Sequence, residues 1–271
     1  KNKSAGSAVR FFMDNVVTDR KRYDLAVRTA AAAGKLLPRV RGAKLRHLPL
    51  LFGGRRRLPE IAPESALSKH PEVTKPRGEV KGRVGLFLGC LNNYVTVRVA
   101  DAVIKVLAAG GYEVVIPKDQ VCCGLAAVTL GEKESARKLA RLNEKAFEGR
   151  DLDFVVSACA PGTGMIDAGF GEFLDMPDAL GAPVKDFVEV LDIIDIPLRR
   201  LDLVTTYHDP CHHTHRGIHD APRRLLKRVS DFREMENASK CCGGGGSFSL
   251  FYYETSRKIG EVKTRAVGRL K

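Results

Sequence analysis

A chain of 271 residues with 44% hydrophobic content is long enough to bury a core of its own, which sets aside intrinsic disorder. Its net charge of +13 is uneven, since residues 1–83 hold 20 Lys and Arg against 7 Asp and Glu whereas residues 84–271 hold 25 of each. The excess is densest at Arg39, Arg41, Lys44, Arg46 and Arg55-Arg56-Arg57. No aromatic residues are interleaved there and the chain has no Trp, so no nucleic acid is expected as a partner.

An acidic partner subunit, an anionic lipid surface or a plain solvated connector all suit such a segment. No run approaches the roughly 18 apolar residues of a spanning helix, and Lys1 to Arg10 lacks the apolar core of a secretory signal, so a soluble protein is expected. The chain begins without Met and stops within a charged helical pattern, Tyr253 to Lys271, and so reads as a piece of something longer.

In chain order, Arg22 to Leu37 reads as a helix, after which Pro38, Gly42, Pro49, Gly53-Gly54, Pro59, Pro63, Pro71 and Pro76 break the pattern into a wrapping arm. From about residue 83 strands and helices alternate. RVGLFLG (83–89) is a strand, followed by a helix with Val95, Val99, Ala102, Val103, Val106 and Leu107 on one face, stopped by Gly110-Gly111. YEVVIP (112–117) is the next strand, Glu132 to Phe147 an amphipathic helix and DFVVSA (153–158) a third strand. A helix around Phe187, Val190, Leu191 and Ile194 leads to DLVTTYH (202–208), a helix from Ala221 to Val229, a strand near Phe232 to Met235 and a closing helix. The alternation predicts an α/β fold of βαβ units with parallel sheets.

The cysteines repeat with these elements. Cys90 and Cys211 each follow the first strand of a set and lie 121 positions apart; Cys122-Cys123-Gly124 and Cys241-Cys242-Gly243 lie 119 apart. Two landmarks recurring at nearly one spacing indicate duplication. The expected organisation is therefore a basic arm (1–82) and two Rossmann-like halves, 83–198 and 199–271, with cysteines at the C-terminal ends of their strands.

Seven cysteines is an odd number, which argues against a closed disulfide framework. In an open parallel sheet, ligands bind beyond the carboxyl ends of the strands, where these cysteines fall. The first half supplies Cys90, Cys122, Cys123 and Cys159, the four thiolates that a [4Fe–4S] cluster takes; the second supplies Cys211, Cys241 and Cys242. Adjacent cysteines are awkward on one tetrahedral zinc but can bind different irons of a cluster. Gly124 and Gly243 leave room beside each pair, and the Gly243–Gly246 run, with Gly244, exposes amides to an anionic group. Singly, each cysteine could be a small buried hydrophobe, and vicinal disulfides or zinc would also account for the pairs. His208, His212, His213, His215 and His219 suit a polar, helix-capping loop better than a metal site, His212 excepted. No Gly-x-Gly-x-x-Gly follows a strand, which places dehydrogenation chemistry on a partner.

The two Cys-Cys-Gly elements, the 31 residues between Cys90 and Cys122, the 35 between Cys123 and Cys159, and DPCHHTHRGIHDAPRRLL ahead of CCGGGG resemble the cysteine-rich CCG-domain family over about residues 83–271. That family includes heterodisulfide reductase B and D subunits and the iron–sulfur subunits of glycolate oxidase, lactate utilisation and anaerobic glycerol-3-phosphate dehydrogenase systems. In the heterodisulfide reductases the motif closes with two cysteines separated by two residues. Cys159-Ala160-Pro161-Gly162 keeps only the first, which leans away from a five-cysteine noncubane cluster and toward the oxidase branch.

The resemblance implies a cytoplasmic electron-transfer protein, peripheral to the inner membrane face where its acceptor is a quinone. It takes electrons from a flavoprotein dehydrogenase through ferredoxin-like clusters. A last second-half cysteine is expected near position 278, past the end of the chain. The competing expectations are catalysis at the cluster, as in the heterodisulfide reductases, and an assembly scaffold with degenerate sites.

Overall fold

The computed structural model describes residues 6–38, 40, 45–47, 57–246 and 248–270, and the chain divides into two units, Lys1–Val184 and Lys185–Lys271. Arg39, Arg41, Lys44, Arg55 and Arg56 of the basic arm lie outside the described residues. In the first unit α1 (Ser7–Phe12) runs into a π-helical turn, Met13–Val17, and then α2 (Arg20–Gly34), which Asp19 caps by accepting from the Arg22 amide at 2.9 Å. α2 ends three residues before the expected Leu37, because Pro38 disfavours helical backbone just ahead of it. β1 (Leu45–His47) and β2 (Arg57–Pro59) pair antiparallel, and Arg46 bonds Glu60 at 2.5 Å and the Leu37 carbonyl at 2.8 Å. α3 (Ala66–Lys69) follows.

The sheet that positions the first cysteines has the order β3-β5-β4-β6-β7. Its strands are β3 (Val73–Thr74), β4 (Gly82–Leu86), β5 (Tyr112–Val115), β6 (Phe154–Ser157) and β7 (Val184–Asp186), and β4 pairs parallel with both β5 and β6. α4 (Gly89–Tyr94) and α5 (Val97–Ala109) link β4 to β5; α6 (Leu125–Thr129) and α7 (Lys133–Phe147) link β5 to β6. After β6 come α8 (Ala160–Gly164), a π-helical turn and α9 (Phe170–Leu174). All four residues of β6 are buried, as are Val84, Leu86, Val114 and Val115, which is the two-sided burial expected of parallel strands.

α5 buries Val97, Ala100, Val103, Ile104 and Leu107, whereas Val99 and Ala102, expected inside, are exposed. So many positions of VRVADAVIKVLAA are apolar that periodicity allows more than one inward face. The arm is no free strap: Val17 belongs to the same core as Phe87, Cys122 and Leu139, Arg10 pairs with Glu132 at 3.0 Å, and Asp14 accepts from Ser135 at 2.8 Å.

In the second unit α10 (Phe187–Ile193) opens with a capping box between Asp186 and Glu189. Then come β8 (Val204–Thr205), α11 (Cys211–His215), α12 (Asp220–Val229), β9 (Asp231–Phe232), α13 (Phe248–Phe251) and α14 (Tyr253–Gly268). β8 and β9 pair parallel, as a βαβ unit should, but over only two residues each. Leu203 and Val204 are 56% and 52% exposed, so this ladder lacks the cover on both faces that lengthens a parallel sheet.

Candidate metal centre

Cys90 lies in the first turn of α4 just past β4, Cys122 and Cys123 in the loop between β5 and α6, and Cys159 caps α8 just past β6. Three adjacent parallel strands thus deliver all four first-half cysteines to one end of the sheet, where strand order switches sides about β4. The Cys122 thiol hydrogen-bonds with both Cys90 and Cys123. Contact with Cys123 is the main cause pushing the Cys122 thiol up to about 12; contact with Cys122 and loss of water raise that of Cys90.

The loop is clamped by side chains that the sequence patterns did not single out. Asn143 of α7, fully buried, accepts from the Val121 amide at 2.9 Å and donates to the Cys122 carbonyl at 3.1 Å. Gln120 accepts from the Leu88 amide at 2.7 Å and donates to the Leu86 carbonyl at 3.1 Å, tying the end of β4 to the loop after β5. Asn143 left a trace, a polar residue on the stripe of Ala136, Leu139, Ala140, Ala146 and Phe147; Gln120 left none.

The arm supplies a further wall. Arg20 and Tyr23 of α2 line a crevice with Cys90, Cys122 and Tyr94. Tyr23 meets Tyr94 edge-on at 5.4 Å, and Arg20 lies over the Tyr94 ring and pairs with Asp24 at 3.0 Å. Burial, then the nearby Cys90 and Cys122, holds the Tyr23 phenol protonated well beyond the usual tyrosine range.

In the second unit Cys211 starts α11, and Cys241 and Cys242 lie in the loop between β9 and α13. Cys211 hydrogen-bonds with Cys241, and its thiol is raised by partial desolvation and then by Cys241. The Gly243 amide donates to Cys241 Sγ at 3.3 Å. Gly243 has φ of +75°, and a Cβ there would lie 2.5 Å from the Ser256 carbonyl oxygen; one on Gly244 would lie 3.7 Å from Cys242 Sγ. Gly124, with φ of +85°, turns its open side to Ala136 of α7.

His208 and His213 act as hydrogen-bonding groups. His213 is buried between Tyr207 Oη at 2.8 Å and Asp186 Oδ2 at 2.9 Å, and His208 Nδ1 meets the Ala238 carbonyl at 2.9 Å. Desolvation lowers His212. Among the described residues no three His, Cys, Asp or Glu side chains are arranged to hold a single metal ion.

A lone zinc draws thiolates about one point at about 2.3 Å, whereas an iron–sulfur cluster spreads them over several irons. The donor set here, sulfur without carboxylate, fits the cluster. Two features beside Cys159 fit it as well. A Cβ on Gly162 would lie 3.3 Å from Cys159 Sγ, so glycine keeps space open there. The fully buried Ser157 Oγ has no hydrogen-bond partner among the described residues and could donate to an anionic group in that space.

A parallel α/β sheet presenting clustered cysteines beyond its strand ends, with a second Cys-Cys-Gly loop in another unit, defines a cysteine-rich protein of the iron–sulfur class. Residues 84–167 and 205–271 match the cysteine-rich domain CCG, and the chain belongs to that family. It is 34% identical over 227 residues to the probable glycolate oxidase iron-sulfur subunit of Bacillus subtilis, covering 78% of this chain and 50% of that one. It is 31% identical over 193 residues to the B subunit of fumarate reductase (CoM/CoB) from Methanothermobacter marburgensis, covering 69% and 38%. With lactate utilization protein A of Oceanobacillus iheyensis the identity is 32% over 202 residues, covering 70% and 82%. The chain thus spans half or less of the first two of these relatives. No helix among its described residues is long and apolar enough to cross a membrane.

Proposed function

We propose that the chain is the cluster-bearing, electron-transferring part of an oxidoreductase. Cys90, Cys122, Cys123 and Cys159 hold a [4Fe–4S] cluster, with Gly124 shaping the turn beside it. Cys211, Cys241 and Cys242, with Gly243 and Gly244 beside them, supply three ligands to a second. The carrying observation is the contact of Cys90, Cys122 and Cys123 thiols beyond adjacent parallel strands. When bound, such a cluster accepts and releases one electron at a time. The chain's own part is to hold the thiolates, wall the first site with Tyr23 and Arg20, and clamp the loop through Asn143 and Gln120. Because the Cys90, Cys122 and Cys211 thiols are held protonated in its absence, loading releases protons and strengthens as pH rises.

The names of the relatives, a glycolate oxidase iron-sulfur subunit and a lactate utilization protein, support oxidation of a 2-hydroxy acid or similar substrate. To that the proposal adds a flavin-dependent dehydrogenase as electron donor, ferredoxin-like clusters on the route, and a quinone or other acceptor. A cytoplasmic site, at the inner face of a membrane for a quinone acceptor, follows from that reading. Iron and acid-labile sulfide on anaerobically prepared protein test it: about four irons per chain should be lost in Cys122→Ser. A stably folded wild-type chain that takes up no iron or sulfide overturns it.

The opening at Gly162 favours one second reading, a cluster that itself reduces a disulfide or other substrate. Turnover of disulfide substrates by the chain without a flavoprotein would select it.

A further inference from the structure

α14 lays one face along the Cys241–Cys242 loop. Ser256 Oγ donates to the Gly243 carbonyl at 2.7 Å, Ile259 crowds the same glycine, and a Cβ on Gly260 would lie 3.4 Å from the Cys242 carbonyl oxygen. These positions and Lys263 are spaced as one helical face. Lys263, only 9% exposed, donates its ammonium to the carbonyls of Asn237 and Ala238, the latter at 2.7 Å. The ionisable groups whose fields reach it are Cys242, Asp209, Cys211 and Cys241. Of these, Asp209 is gripped through both oxygens by Arg223 at 2.7 and 2.9 Å. The two arginines of α14 are engaged elsewhere, Arg257 with Glu254 and Glu261 and Arg265 with Glu261. Lys263 is therefore a buried cation held by two neutral carbonyls, on the helix face that lies along the Cys241–Cys242 loop.

We propose that Lys263 is a positioning residue for the second cluster: its ammonium offsets the negative charge gathered on Cys211, Cys241 and Cys242 and raises the potential at which the cluster they hold takes up an electron. The inference rests on the reading that these cysteines bind a cluster. Uptake of one electron, from a chemical reductant or a reduced flavin, adds one negative charge and makes or breaks no bond. A fixed cation in a poorly solvated setting favours the more negative state.

The test is a redox titration, followed by electron paramagnetic resonance, of the full chain reconstituted with iron and sulfide. Iron and sulfide are counted in parallel, and the signal abolished by Cys241→Ser is assigned to the second half. Lys263→Gln, which retains a donor to the carbonyls but no charge, should load equally. Its reduced-to-oxidised ratio at a fixed potential should fall tenfold or more, about 59 mV for a one-electron couple. Lys263→Arg should stay within threefold of the unmodified chain.

Equal potentials in the Gln and Arg variants at equal loading overturn the proposal while leaving the cluster assignment standing. Loss of iron in Gln with Arg retaining both iron and potential would again point to the charge; loss in both would mark a packing role and overturn it. If Cys241→Ser removes neither iron nor signal, the underlying reading fails and the proposal with it.

Discussion

The clamp on the first cysteine pair can be cut with one substitution. Asn143→Leu keeps the side-chain volume inside α7 but removes the acceptor for the Val121 amide, now at 2.9 Å, and the donor to the Cys122 carbonyl, now at 3.1 Å. Asn143 is fully buried, and Val121 and Cys122 are 7% and 8% exposed, so neither orphaned group regains full hydration. At roughly 1–3 kcal/mol per unsatisfied buried group, with slight access to water favouring the lower half, the pair should cost about 3 kcal/mol. In urea that is a midpoint lowered by about 1 M or more for the first unit. Far-ultraviolet circular dichroism on anaerobic, metal-free protein would measure it. Leu142→Ala, on the outward face of the same helix at 37% exposure, is the control, expected to cost less than about 1 kcal/mol. The loaded protein should also hold less first-site iron, since the loop carrying Cys122 and Cys123 is no longer fixed. An Asn143→Leu chain with unchanged midpoint and full iron would refute the idea that these two bonds position the pair.

Three further outcomes are expected. Gly243→Ala should cost about 2–3 kcal/mol, because φ of +75° penalises any side chain and its Cβ would press on the Ser256 carbonyl oxygen at 2.5 Å; thermal unfolding and second-site iron should both report it. Arg223→Ala should destabilise the second unit by about 3–5 kcal/mol at neutral pH, since it strips a bidentate partner from the buried Asp209. Arg223 holds the Asp209 carboxyl below its ordinary 3.8, so that stability is present above pH 3.8 and is lost as pH falls further; a difference that persists undiminished in acid would contradict the assignment. The metal-free chain should lose stability in alkali: in the unfolded state Cys122 ionises near 9.0, in the folded state near about 12, so the folded form binds the extra proton between them. The loss begins above pH 9 and deepens as pH rises, with Cys90 and Tyr23, raised likewise, adding to it, and Cys122→Ser should shrink that limb of the pH–stability curve without abolishing it.

The parts that could be read in advance are those whose physics is local. β4, β5 and β6 are short apolar runs followed closely by cysteine, and two-sided burial of a parallel strand requires such runs, so strand position and cysteine placement came from the same few residues. The inward face of α5 was not local in this sense. With Val99 and Ala102 as apolar as Ala100 and Ile104, only the sheet beneath decides which side turns in. The strand expected over residues 202–208 pairs at two residues because pairing depends on cover that its own alternation does not encode. The histidine run follows the same rule: His213 is a hydrogen-bonding group as expected, but its partners, Tyr207 and Asp186, the latter 27 positions earlier, are announced by no local pattern.

The arm shows how punctuation can conceal docking. Its prolines and glycines and its excess of positive charge describe a connector, yet Arg10, Asp14 and Val17 meet Glu132, Ser135 and the core around Leu139, more than 110 residues onward. Nothing in the spacing of the arm announces those partners, because an ion pair or a buried valine leaves no periodicity. What the arm brings is chemical as well as mechanical. Tyr23 and Arg20 stand in the crevice with Cys90 and Cys122, where a phenol held protonated adds no charge of its own and Arg20 is already matched by Asp24. The second unit is built the other way, with Lys263 hydrogen-bonded to the Asn237 and Ala238 carbonyls and to no carboxylate among the described residues. Two cysteine sets of the same sequence motif therefore sit in different fields. A duplicated fold that gains or loses one neighbouring cation can hold like clusters at unlike potentials without altering a ligand.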